Sequence, residues 1–137
     1  MPAPIPSNIN GVSVGFHPNV VNSVDQRVID ALRQVIRPDI APGHTLHRIY
    51  IRSVSDSHAM PSRHAQRKAV DISRFNGIHV QDGYNSNPSV RAFVNSIQEA
   101  FEECNHRREN FGPLFNRRHG QPWAVTDHND HIHLSVD

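Results

Sequence analysis

The sequence predicts a single domain that mixes helices with short strands, on three observations. Two stretches repeat apolar residues at helical spacing, several short runs alternate as strands do, and 137 residues suffice for one hydrophobic core. Residues 1–15 are rich in proline, asparagine and serine. They are expected to run extended over the surface, ordering only by docking, ahead of a single domain over 16–137. Ser23-Val24-Asp25-Gln26 reads as a capping box, with the Ser23 hydroxyl accepting from the third amide and Gln26 reaching back. Val24, Val28, Ile29, Leu32, Val35 and Ile36 then recur at helical spacing up to Pro38, predicting a helix near 24–37.

After the Pro42-Gly43 turn, Leu46–Val54 alternates and reads as a strand. Residues 55–64 form a polar loop, and Ala69–Ser73 is a second, short buried strand. His64 therefore falls in a loop and Asp71 on a strand. Phe75-Asn76-Gly77-Ile78 has hairpin chemistry and leads to a strand near Ile78–Gln81. Pro88 suits a first helical position behind an Asn87 cap. Val90, Phe93, Val94, Ile97, Phe101 and Cys104 mark the buried side of a helix near 88–105. Asn105–Glu109 is polar and mostly charged, and reads as a fraying end. Phe111–Val125 is expected to form short strand fragments and loops, and His131–Val136 a closing strand.

The formal charge of +1 offers no field for nucleic acid or an anionic membrane. The short pairs Arg107-Arg108 and Arg117-Arg118 read as solvated surface. No run approaches the length of a membrane span, and Met1–Pro6 lacks the basic and apolar regions of a signal peptide. Synthesis in the cytosol is expected, with release needed for any substrate outside. Cys104 is the single cysteine and falls on the apolar side of a helix, as a buried structural thiol would.

The unusual count is eleven histidines. Ser62–Ile72 supplies an imidazole and a carboxylate, His64 and Asp71, seven residues apart. His128-Asn129-Asp130-His131-Ile132-His133 adds three imidazoles and a carboxylate within six residues. His and Asp are costly to bury without a partner, and a divalent metal between the two segments would be one. Alternation along the last strand puts His131, His133 and Ser135 on one face and Ile132, Leu134 and Val136 on the core face. Donors of the type His, Asp and His leave a coordination position open, as a catalytic zinc requires. Asp130 or His131 is near enough in sequence to His133 to act as base. Arg52, late in the Leu46–Val54 strand, is placed to steady an oxyanion or dock a carboxylate.

Ser62-x-His64-x-x-x-x-Ala69-x-Asp71 followed by His131-x-His133 resembles the zinc D-alanyl-D-alanine carboxypeptidases and L-alanyl-D-glutamate endopeptidases, whose motifs are S-x-H-x-x-G-x-A-x-D and H-x-H. The resemblance implies an α+β fold with a small antiparallel sheet, helices on one side and a zinc groove on the other, as in hedgehog domains and DD-peptidases. It implies zinc held by His64, Asp71 and His133, with Asp130 as general base and His131 stabilising the transition state. His128 is an alternative base, and Arg52 is the substrate-contacting arginine. The motif glycine is Arg67 here, where a positive φ would be strained. The implied activity is hydrolysis of a peptide bond in bacterial peptidoglycan. Small size and the lack of an export signal suit a phage-type endolysin or a virion-associated lysin, and a monomer is expected. The alternative is the same fold holding zinc without turnover, as a binding module. A nuclease is a weaker alternative, given the charge balance.

Overall fold

The computed structural model describes residues 2–54, 67–126 and 128–137. The strands are Pro2–Ala3 (β1), Asn8–Ile9 (β2), Val12–Phe16 (β3), Val24–Asp25 (β4), Arg48–Ser53 (β5), Ala69–Phe75 (β6), Ile78–His79 (β7), Arg107–Phe111 (β8), Asn116–Arg118 (β9), Gln121–Pro122 (β10) and Ile132–Val136 (β11). The helices are Gln26–Val35 (α1), Val80–Gly83 (α2) and Pro88–Phe101 (α3). β1 and β4 make a small separate ribbon. The other strands form one sheet in the order β10-β9-β8-β11-β6-β5-β3-β2, with β7 hairpinned onto β6. The class is α+β, but the sheet is large rather than small. It is also mixed, because β3 runs parallel to β5 while the other pairs are antiparallel.

The N-terminal segment docks. Ile5, Ile9, Val12 and Val14 are buried in the common core, and β3 lies along β5 from Ser13 opposite Arg48 to Phe16 opposite Ile51. Alternation over Val12-Ser13-Val14 gives that strand an apolar face, which outweighs the loop-like composition around it. In α1 the expected stripe of Val28, Ile29, Leu32 and Val35 is buried. The cap differs: Asp25, not Ser23, accepts from the Arg27 amide at 2.9 Å, and Gln26 donates to Asp30 instead of reaching back. Val24 has left the helix for β4. In α3 the Asn87 side chain accepts from the Ser89 and Val90 amides, and Val90, Phe93, Val94, Ile97 and Phe101 are buried as expected. The helix ends at Phe101, short of 105. Cys104 lies buried beyond it, its thiol pushed up to about 11 by burial, which suits an inert structural group.

α1 and α3 pack on each other and on β11, and Ile132, Leu134 and Val136 join their core. The Asn76-Gly77 turn carries φ of 52° and 81°, and pairs Phe75 with Ile78 as a hairpin. β7 stops at His79, where α2 begins.

β8 corrects the sequence reading most. Arg107–Phe111 is an interior strand between β11 and β9, not a fraying helix end. Its charges find partners: Glu102 takes Arg107 at 3.7 Å and Arg117 at 3.6 Å, so these arginines are not simply solvated. Buried Asn110 donates to the Gln98 carbonyl at 2.7 Å and to Glu102 at 2.9 Å, tying β8 to α3.

Candidate functional site

Register builds the site. β11 lies between β6 and β8, so His133 stands opposite Asp71 on one side and Phe111 on the other. The core face of β11 is apolar as alternation predicts. The opposite face is also covered, with His133 8 % exposed and Ser135 fully buried. A polar network fills it. His133 Nδ1 lies 2.9 Å from Asp71 Oδ1, and His133 Nε2 lies 3.0 Å from Glu109 Oε1. Ser135 Oγ donates to the same Glu109 oxygen at 2.9 Å and accepts from the Glu109 amide at 3.0 Å. The Phe111 ring stacks on the His133 ring at 5.5 Å.

Two carboxylates thus grip one imidazole. Burial alone would push the His133 pKa down, but the hydrogen bonds and charges of Asp71 and Glu109 raise it to about 9. Burial likewise favours a neutral Glu109, yet the His133 bond and charge, Ser135 and Arg108 lower it to about 2. Without metal, His133 is therefore an imidazolium between two carboxylates at neutral pH.

Beside this group, Asp130 bridges His131 and Arg52. Its Oδ1 meets His131 Nδ1 at 2.6 Å and its Oδ2 meets Arg52 Nη1 at 3.5 Å. Burial works against the Asp130 carboxylate, but the His131 bond and charge and the Arg52 charge hold it below the usual range. His131 Nε2 reaches to 3.9 Å from Asp71 Oδ1, linking the two clusters. His128 packs 5.0 Å from the His131 ring and 5.8 Å from the His133 ring. Burial, then those two neighbours, push its pKa down, which leaves a neutral imidazole as a second proton acceptor.

Of the residues singled out in the sequence, Asp71, His128, Asp130, His131, His133 and Arg52 converge on one region. His64 lies outside the described residues. Among the described residues no set of three His, Cys, Asp or Glu donors forms a metal cage. Asp71 and His133 nonetheless suit a zinc ion as two of three donors. Their facing atoms are 2.9 Å apart, and donors sharing a zinc at about 2.0–2.2 Å each would stand only slightly farther apart. Glu109 holds the other ring nitrogen, the carboxylate–histidine arrangement that orients metal-binding imidazoles.

Sequence reasoning missed Glu109. Its one available signal was alternation: Glu109 and Phe111 are two apart, as two residues on one face of a strand would be. The motif arginine is also resolved. Arg67 takes the left-handed conformation at φ 63° despite its Cβ. Its carbonyl accepts from the Asp25 amide at 2.7 Å, and Nη1 donates to Ser23 at 3.1 Å. Those bonds hold the strained turn in place.

No protein family, curated protein or solved structure matches this chain.

Proposed function

We propose that this chain is a zinc-dependent peptidase of the hedgehog/DD-peptidase type, cleaving a peptide bond in bacterial peptidoglycan. The observation that carries the reading is Asp71 and His133 facing each other at 2.9 Å, with Glu109 on the far ring nitrogen. His64 would complete the donor set from the segment between β5 and β6. A bound zinc would acidify a water and polarise the scissile carbonyl.

The chain's own groups divide the remaining work. Glu109 fixes the His133 ring so that Nδ1 is presented beside Asp71. Asp130, ionised between Arg52 and His131, accepts the proton of the attacking water, and His128 is the second candidate. His131, hydrogen-bonded to Asp130, offers a donor to the developing oxyanion. The second reading is a zinc-holding module without turnover. It is favoured by the engagement of both Asp130 oxygens, which leaves the base partly satisfied.

The test is elemental analysis together with digestion of purified peptidoglycan. The wild type should carry one zinc and release peptide fragments, and His133→Ala should lose the metal. Asp130→Asn should keep zinc and lose turnover by about 100-fold or more. A wild type that binds zinc but releases nothing would leave the binding module. An unchanged Asp130→Asn rate would move the base to His128.

A further inference from the structure

Beside Asp130 lies a cavity of about 210 Å³, whose lining includes His17, Tyr50, Arg52, Arg74, His79 and Asp130. The β5–β6 pairing beside it has two irregularities. Between Tyr50–Arg74 and Ile51–Ile72, β6 holds one extra residue, Ser73. Between Ile51–Ile72 and Ser53–Asp71, β5 holds one extra residue, Arg52. Bulges re-aim side chains, and these two keep Ile72 and Phe75 in the core while Arg52 and Arg74 line the same cavity.

The cavity's charge is one-sided. Among the described residues Asp130 is its one carboxylate, and it is already engaged by Arg52 and His131. Arg74 is different. Its guanidinium lies over the Tyr50 ring at 4.1 Å from the centroid. Among the described residues no carboxylate pairs with it, and its buried Nε has no hydrogen-bond partner. A buried donor left unpaired is costly, and a guanidinium fixed on an aromatic face is a fork already oriented for two acceptor oxygens.

We propose that this cavity recognises a free carboxylate of the peptide substrate, with Arg74 as the pairing residue and His17 and His79 adding donors. The proposal rests on the peptidase reading and gives it a substrate class. Stem peptides with the relevant acid group free are taken in preference to amidated ones. Asp130 lines the cavity and bonds His131, whose other ring nitrogen reaches toward Asp71, so a peptide anchored there extends its backbone toward the candidate metal centre.

The experiment is an NMR titration of the full-length, metal-free chain with acetyl-L-Ala-γ-D-Glu-L-Lys. Three forms are used: the diacid, the glutamyl α-amide and the C-terminal amide. The diacid should shift the Arg74 Nε–H resonance and the ring signals of His17 and His79. Amidation of one of the two groups should weaken binding by about tenfold or more, which names the carboxylate being read. Arg74→Ala should cost a similar factor and Arg74→Lys should restore part of it. Equal affinity for all three forms, no shift at about 10 mM peptide, or an unchanged Arg74→Ala would overturn the proposal. Should Arg74→Ala not fold, the three ligands on the wild type decide alone. Failure of the peptidase reading would appear elsewhere, as absent zinc or absent wall digestion.

Discussion

Replacing Glu109 by Gln tests the network that presents His133. Glutamine keeps an acceptor for His133 Nε2 and Ser135 Oγ, so the substitution removes mainly the charge. Glu109 is depressed from an ordinary 4.5 to about 2, and its side chain is 19 % exposed. At roughly 1.4 kcal/mol per pH unit the interaction is worth about 3 kcal/mol of folded-state stability, most of it shared with His133. A depressed acid contributes fully above its unfolded value of 4.5 and loses the contribution as pH falls through about 2. The raised His133 contributes fully below 6.5 and loses its part as pH rises through about 9. The pair is therefore at full strength between pH 4.5 and 6.5. In urea titrations of chelator-treated protein, Glu109→Gln should lose about 2–3 kcal/mol near pH 5.5 and under about 1 kcal/mol near pH 10. The same loss at both pH values would refute the claim that an imidazolium sits between the carboxylates.

Two further substitutions probe the scaffold. Arg67→Gly removes left-handed strain of about 1–2 kcal/mol, but loses the Ser23 bond and gains chain entropy worth about 0.5–1 kcal/mol. Chemical denaturation should show a net gain of about 0.5 kcal/mol, and a loss beyond about 1 kcal/mol would mean the arginine contacts dominate. Gly112→Ala should destabilise by about 2–3 kcal/mol, since its Cβ would stand 2.6 Å from Gln98 Oε1. Gln98 is fully buried and bonds Asn110, Leu114 and Phe115, so it has no free space to swing into. A thermal midpoint within about 1 °C of wild type would show that this amide network yields.

Sequence by itself determined what depends on local periodicity. The buried stripes of α1 and α3, the Asn87 cap, the Asn76-Gly77 hairpin and the core face of β11 each follow from residues a few positions apart. The histidine and aspartate segments could be singled out for the same reason, because each is compact in the chain. Tertiary structure decided what depends on which strand lies beside which. Nothing local says that Arg107–Phe111 is an interior strand, since its charges are tolerable there only because Glu102, Ser135 and His133 await them. Nor does local pattern reveal the two bulges that carry Arg52 and Arg74 to one cavity, or the bonds that hold Arg67 at positive φ. A strand's periodicity fixes which side chains share a face, but pairing between distant segments fixes what that face meets.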